Sequence, residues 1–167
     1  MKVYEKPEPP ARVFLFTLGQ RTIPMKLKPS ILIAAITVIL SSCSDLSHID
    51  IVVESPNVVS ANEEFVITNH IINYSQEIQE VYSLDISDSY LENIAVLSTT
   101  PGYRDVQYIP LDDTWSHSFR TPLLPNDTLT VELHCMATST GLFRGTIDYC
   151  INSDYDFVTR SINTVVE

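Results

Sequence analysis

From Cys43 onward the sequence contains no lysine, and its permanently cationic side chains are four arginines. Nineteen aspartates and glutamates oppose them, which gives this part of the chain a formal net charge of −15. A surface so acidic disfavours nucleic acids and anionic lipid headgroups as partners. The acidity also has a simpler interpretation, because it would keep an exposed domain soluble.

The short motifs that mark common enzyme classes are missing too. The sequence contains no Gly-x-Ser-x-Gly, no phosphate-binding loop, no His-Glu-x-x-His and no Cys-x-x-Cys. Its four histidines, His48, His70, His117 and His134, are scattered singly. We therefore expect a non-catalytic protein that needs no cofactor.

Helical periodicity is absent after residue 44, and period-two alternation recurs instead. Leu129, Val131, Leu133 and Cys135 alternate with polar residues, as in a strand with one buried face. Three further sets share one parity and are expected to face the core: Phe65, Ile67 and Ile71, with Asn69 as the odd member; Tyr82, Leu84 and Ile86; and Phe143, Ile147, Tyr149 and Ile151. Turn signals separate the runs and predict seven to nine strands, near 48–54, 63–73, 80–87, 91–98, 105–109, 115–120, 128–136, 143–151 and 157–166.

Short strands at this spacing, with no helix, predict an all-β fold built as an antiparallel two-sheet sandwich. A barrel is the alternative. Only Gly102, Gly141 and Gly145 follow Cys43, however, so glycine-kinked barrel corners would be scarce. Residues 48–167 are long enough for one domain with a single hydrophobic core.

The order of the turn signals resembles that of immunoglobulin-like modules in bacterial envelope proteins. The matching stretches are 60–65 (SANEEF), 71–73 (IIN), 124–129 (LPNDTL) and 141–146 (GLFRGT). This resemblance covers most of residues 48–166 and implies an immunoglobulin-like sandwich. The Cys…Trp…Cys spacing of antibody domains is missing, so the resemblance is to the sandwich and not to a particular subfamily.

Two cysteines, Cys135 and Cys150, remain besides Cys43. We expect both to be buried free thiols, because they fall near the ends of consecutive predicted strands. Antiparallel pairing of those strands would place them at opposite ends, beyond the Cα separation of about 7 Å that a disulfide allows. A disulfide is the alternative, since an exported compartment would permit one.

Residues 25–43, MKLKPSILIAAITVILSSC, combine two lysines, an apolar run interrupted only by Thr37, and small residues before a cysteine. The last four residues resemble the lipobox of bacterial lipoproteins. The resemblance implies a signal peptide over 25–42 and a lipid anchor on Cys43, which would hold the protein to a membrane of the cell envelope, exposed to the periplasm or the exterior. The alternatives are an uncleaved signal anchor and a cleavable signal in which Cys43 is incidental. The apolar run would span only about 15 Å as a helix, half of the hydrocarbon core.

The chain then divides into four parts. Residues 1–24 precede a well-formed signal, so we expect translation to begin at Met25, with a genuine proline-rich leader as the alternative. The signal peptide over 25–42 is followed by a lipidated tether over 43–47 and by the sandwich over 48–167. A tether of about five residues would keep the sandwich within roughly 18 Å of the bilayer.

Two acidic clusters and one aromatic region are candidate sites. No metal site is firmly expected, and the weak calcium candidates are Asp85, Asp88 and Glu92 around one predicted turn, with Asp154 and Asp156 in the last hairpin loop. The alternative is that these acidic residues only shape their turns. In the irregular region 99–127, the candidates for partner binding are Tyr103, Tyr108 and Trp115, unless they plug one end of the sandwich.

These observations favour a membrane-anchored envelope lipoprotein with a non-catalytic role in binding, adhesion or scaffolding. The expected partners are the membrane, through the lipid anchor, and an unidentified envelope protein or glycan, but not nucleic acid. One alternative is a calcium-stabilised structural module. Another is an accessory domain of a carbohydrate-active or other envelope enzyme system.

Overall fold

The computed structural model describes residues 45–167. The predicted extension over 1–24, the signal peptide over 25–42 and the lipidation of Cys43 lie outside the described residues. The elements are β1 (Ile49–Glu54), β2 (Val58–Val59), β3 (Glu64–Asn73), β4 (Gln79–Ser87), α1 (Asp88–Leu91), β5 (Ile94–Thr100), β6 (Asp105–Ile109), β7 (Thr114–Leu123), β8 (Thr128–Ala137), β9 (Gly141–Ile151) and β10 (Phe157–Val166). In this part of the chain no helix is long and apolar enough to cross a membrane.

The strands form two sheets. One has four strands in the order β1-β3-β8-β5, and the other has six in the order β2-β10-β9-β4-β7-β6. All pairs are antiparallel except β2 with β10. The prediction of an all-β, antiparallel, immunoglobulin-like two-sheet sandwich is confirmed.

The strand order departs from the usual immunoglobulin arrangement at one point. Strands β1, β3, β8 and β5 take the places of A, B, E and D in the four-stranded sheet of such domains. Strand β5, however, comes before the β6–β7 hairpin in the chain, and that hairpin extends the other sheet beside β4. As a result the chain crosses between sheets twice over residues 88–109.

The core lies between the sheets, where the predicted alternation places most of its residues. Val131, Leu133 and Cys135 of β8 are fully buried, while Glu132 between them is not. Asn69, the odd member of the β3 set, is also fully buried. Its amide group donates to the carbonyl of Val131 (3.0 Å), and its carbonyl oxygen accepts from the hydroxyl of Tyr149 across the core (2.5 Å). The buried amide is therefore hydrogen-bonded, as burial requires.

The expectation for Tyr82 is wrong. A β-bulge between Val81 and Ser83 shifts the register of β4 against both β7 and β9. Because a one-residue shift exchanges the two faces of a strand, Val81 enters the core and Tyr82 points outward. Leu84, beyond the bulge, is in the core as expected.

Two short elements were not expected from the alternation. Strand β2 has two residues and pairs with β10 at the other end of the domain sequence. Helix α1 lies between the strands predicted over 80–87 and 91–98, and the second of these strands instead spans Ile94–Thr100. The helix approaches β9 at Gly145, where an added Cβ would lie 2.7 Å from the Cβ of Tyr90. Only glycine permits this approach.

Both Cys135 and Cys150 are buried free thiols. The reason for their separation differs from the expected one, because β8 and β9 belong to different sheets and do not pair. Cys135 lies inside the sandwich, and Cys150 faces the outer side of the six-stranded sheet beside Asp85. Burial raises the pKa of each thiol to about 12, so neither is a ready nucleophile at neutral pH.

The packed domain begins slightly earlier than predicted. Leu46, assigned to the tether, packs partly buried against the core, and its carbonyl accepts a hydrogen bond from the Ile49 amide (2.9 Å). From the facing sheet, Arg160 of β10 donates a hydrogen bond to the carbonyl of Ile51 in β1 (3.0 Å) and forms an ion pair with Asp50 (3.2 Å). These bonds join the two sheets beside the segment by which the chain enters the domain.

Candidate functional site

The outer face of the six-stranded sheet carries a groove of about 590 Å³. Outward-facing residues of β4, β6 and β7 form its floor, and the turns after β6 and β9 border it. We call this surface the outer groove. It is lined by Tyr82, Asp85, Asp105, Gln107, Ile109, Leu111, Asp112, Ser116, Ser118, Arg120, Asp154, Tyr155 and Phe157.

The bulge in β4 and β7 places a cation in this groove. Arg120 has a φ of +50°, a left-handed conformation that non-glycine residues rarely adopt. Its guanidinium lies 4.2 Å from the centroid of the Tyr82 ring and donates a hydrogen bond to the Tyr82 hydroxyl. Bulges often re-aim a side chain beside a functional site, and strained backbone is concentrated at such sites.

A smaller hollow of about 270 Å³ adjoins the outer groove and shares Asp85, Asp112, Asp154 and Phe157 with it. Asp85 lies in its wall, where one carboxylate oxygen, Oδ2, accepts from the Cys150 thiol (3.4 Å). Three polar side-chain atoms near this wall are buried and have no hydrogen-bond partner among residues 45–167: Asp85 Oδ1, Ser83 Oγ and Thr114 Oγ1.

The groove is strongly acidic. Four aspartates line it, Asp85, Asp105, Asp112 and Asp154, against the single guanidinium of Arg120 among the described lining residues. Low-dielectric walls concentrate the field of such a cluster. The geometry therefore favours a partner that offers cationic groups or hydrogen-bond donors.

The predicted aromatic candidates lie elsewhere, at the edge where β5 and β6 leave the sandwich open. Tyr103 and Trp115 line a cleft of about 440 Å³ there, together with apolar residues of α1 and β5. Tyr108 packs against Trp115 with ring centroids 5.3 Å apart, and its hydroxyl donates to Asp113 (2.5 Å). The three aromatic residues are thus neighbours, about two-fifths exposed. Whether they bind a partner stays a prediction.

His117 forms part of the inner wall of this cleft. Its ring meets Tyr103 edge to face, with centroids 5.3 Å apart, and it is nearly buried. Burial lowers the pKa of His117, because the charged imidazolium would lose its hydration. The side chain is therefore neutral at pH 7.

The five calcium candidates are divided among three places. Asp85 and Asp154 line the outer groove. Asp88 and Glu92 line the cleft beside Tyr103 and Trp115, where Asp88 accepts a hydrogen bond from the Trp115 indole (2.8 Å). Asp156 accepts from Ser153 within its own turn (2.9 Å). Within residues 45–167 no group of three or more His, Cys, Asp or Glu side chains is arranged to hold a metal ion. The five candidate residues are therefore not gathered around one ion position, and calcium binding itself remains to be measured.

Sequence reasoning missed the outer groove as a site. Its central pair, Tyr82 and Arg120, depends on the bulge, which alternation does not reveal. One signal was available, because Trp115, His117 and Phe119 alternate with the polar residues Ser116, Ser118 and Arg120. That pattern predicts a strand with one polar face, which is the face that lines the groove.

Comparisons with known proteins give distant likenesses of fold. No protein-family model and no curated protein matches this chain. Solved structures that resemble it include a CARDB domain from Pyrococcus furiosus (13% identity, 71% of this chain, 94% of that chain, TM-score 0.45) and a cohesin module of a Clostridium perfringens family 33 glycoside hydrolase (10%, 71%, 98%, 0.42). A third is the C-terminal domain of the Streptococcus agalactiae AgI/II polypeptide BspA (12%, 71%, 49%, 0.40).

Other matched structures are enzymes, among them a β-glucosidase from Listeria innocua. The likeness therefore concerns the sandwich alone and does not separate binding domains from domains of enzymes. No catalytic family is matched.

Proposed function

We propose that this chain is a lipid-anchored protein of the cell envelope that binds a partner through the outer groove, without catalysing a reaction. The observation that carries the binding role is the groove itself, where a strained bulge displays Arg120 and Tyr82 on a surface that four aspartates also line. The partner offers cationic side chains or a dense set of hydrogen-bond donors, as a basic protein surface or a glycan does. The anchor is an acylated Cys43, which removal of the signal peptide over 25–42 leaves as the first residue.

Two features argue against thiol or histidine catalysis in the groove. The thiol that lines the small hollow, Cys150, has a pKa raised to about 12 by burial, so it stays protonated at neutral pH. The groove lining named above contains no histidine among the described residues, and histidine is the side chain that most often serves as a general base near pH 7.

The anchor is tested by replacing its acceptor. Cys43→Ala in the full chain should move the protein out of the membrane fraction, whereas globomycin, which blocks removal of the signal peptide from lipidated precursors, should leave a longer precursor in that fraction. Mass spectrometry of the wild-type N-terminal peptide should show the acyl groups on Cys43. If the variant still pellets with membranes, or if the wild-type peptide carries a free thiol, the anchor proposal is wrong.

The binding face is tested by crosslinking in cells. A photoreactive amino acid at Gln107 in the groove should capture a partner, whereas the same amino acid at Val66 should not. Both positions are exposed, but Val66 lies on the outer face of the four-stranded sheet. The crosslink at Gln107 should weaken when Asp85→Asn and Arg120→Ala are combined. Equal capture at both positions, or a crosslink that ignores the groove substitutions, would count against this binding face.

A further inference from the structure

Three large apolar side chains are exposed together at one end of the sandwich. Tyr74 and Ile78 belong to the loop between β3 and β4, and Leu124 belongs to the loop between β7 and β8. Their exposed fractions are 61%, 64% and 51%. We call these three residues the apolar tip. Neighbouring exposed apolar side chains often mark an interaction surface.

The apolar tip is held by a buried side chain. Asn73 is fully buried, and its amide group donates to the carbonyls of Glu77 (2.9 Å), Leu123 (3.2 Å) and Leu124 (3.1 Å). Its backbone amide donates to the carbonyl of Asp127 (3.0 Å). One residue thus fixes both loops relative to each other, so the exposed apolar groups form a defined surface.

The chain enters the domain at this same end. The backbone amide of Tyr74 donates to the carbonyl of His48 (2.8 Å), and Leu46 packs against the core just before it. Cys43 precedes Leu46 by three residues, which span at most about 11 Å when fully extended. An acyl group on Cys43 would therefore bring the apolar tip to within a few residues' reach of the bilayer.

We propose that the apolar tip rests on the bilayer that carries the Cys43 anchor, with Tyr74, Ile78 and Leu124 in the headgroup region. This inference rests on the proposed lipid anchor. Tyrosine suits such a position because its ring is apolar and its hydroxyl is polar. Exposed carboxylates beside the apolar tip, Glu77 and Asp127, would be repelled by anionic headgroups. The matching surface is a zwitterionic one.

The test compares two leucines that are equally exposed at opposite ends of the domain. Leu124 is 51% exposed in the apolar tip, and Leu142 is 50% exposed at the start of β9, beyond the far end of β8. Leu124→Cys and Leu142→Cys are each labelled with an environment-sensitive fluorophore. The full lipidated chain is then reconstituted into phosphatidylcholine vesicles that contain a headgroup nitroxide quencher. Cys135 and Cys150 are buried and Cys43 is blocked by the lipid, so labelling is confined to the new thiol.

We expect the label at position 124 to lose emission to the nitroxide lipid and the label at position 142 to keep it. The loss at 124 should diminish when anionic phosphatidylglycerol replaces much of the phosphatidylcholine. Equal quenching at both positions, or none at 124, overturns the inference. A second result would also overturn it. If the label at position 124 is protected from aqueous iodide in native membranes but is not quenched by the nitroxide lipid in vesicles, a protein and not the bilayer covers the apolar tip.

A mass measurement on the same preparation separates the two proposals. An acylated Cys43 without selective quenching refutes the docking of the apolar tip and leaves the anchor standing. An unacylated Cys43 refutes the anchor. Thermal melting of both labelled variants guards against misfolding, since both substitutions are on the surface and should leave the melting temperature close to that of the wild type.

Discussion

Replacing Gly145 by alanine should destabilise the sandwich strongly, because α1 lies directly against β9 at this residue. The new Cβ would lie 2.7 Å from the Cβ of Tyr90 and closer still to the hydroxyl of Ser87. The Ser87 hydroxyl accepts a hydrogen bond from the backbone amide of Thr146 (3.0 Å). The Tyr90 hydroxyl forms a hydrogen bond with the Thr164 hydroxyl in the core (2.8 Å). Relief of the overlap must therefore disturb at least one of these bonds.

The magnitude follows from the separate contributions. Overpacking of a close contact costs about 1–3 kcal/mol, and the loss of one hydrogen bond adds about 1 kcal/mol. Alanine returns roughly 0.5–1 kcal/mol by restricting the unfolded chain. The expected net loss in the free energy of unfolding is about 1–3.5 kcal/mol. For a domain of this size that corresponds to a drop in melting temperature of roughly 4–14 °C.

Urea denaturation monitored by circular dichroism measures the change, and the chain offers a matched control. A Cβ added at Gly102 would meet no atom within 4 Å, so Gly102→Ala should not destabilise the domain and should gain up to about 1 kcal/mol from the same restriction of the unfolded chain. Ser87→Gly should partly rescue Gly145→Ala, because it removes the nearer of the two obstacles. If Gly145→Ala proves as stable as Gly102→Ala, the described packing of α1 on β9 is wrong.

Four further predictions concern pH, thiols, the bulge and calcium. The free energy of unfolding should fall as the pH drops below about 6.5, because the unfolded chain protonates His117 more readily than the fold does, and His117→Gln should reduce this slope in urea melts. A thiol reagent should react slowly with Cys135 and Cys150 in the native protein and rapidly in denaturant. Arg120→Gly should be more stable than Arg120→Ala by about 1 kcal/mol in the same melts, because glycine removes the cost of the left-handed backbone. Millimolar calcium should not raise the melting temperature relative to EDTA, because the candidate ligands are divided among separate places.

Much of the fold could be predicted because alternation and turn residues are local signals. Strand β10 has the predicted bounds, and β8 extends the prediction by one residue. Each of these strands buries one face, so its pattern is visible without knowledge of its neighbours. The pairing of strands carries no such local signal. The separation of Cys135 from Cys150 was therefore expected for the wrong reason, since their strands lie in different sheets.

The missed features all depend on contacts that are distant in sequence. Strand β2 exists because Val58 and Val59 lie beside the end of β10, about a hundred residues later. The bulge at Tyr82 requires the extra residue Arg120 on the facing strand. The outer groove therefore could not be predicted from the sequence. Two of its residues, Asp85 and Asp154, were named only as calcium candidates. Alternation reports which residues are buried but not which exposed residues meet.

The apolar tip and the outer groove together limit how a partner could approach. Strand β4 begins at Gln79, beside the apolar tip, and passes Tyr82 and Asp85 in the groove. At about 3.3 Å per residue, these two residues lie roughly 10 and 20 Å further along the strand. With the apolar tip on the bilayer, the groove would stand on the side wall of the domain, and Asp85 would lie beyond the screening distance of about 8 Å from the headgroups. The carboxylates would then attract a partner that approaches laterally, at a height that a neighbouring envelope protein can reach, without competition from the lipid surface below.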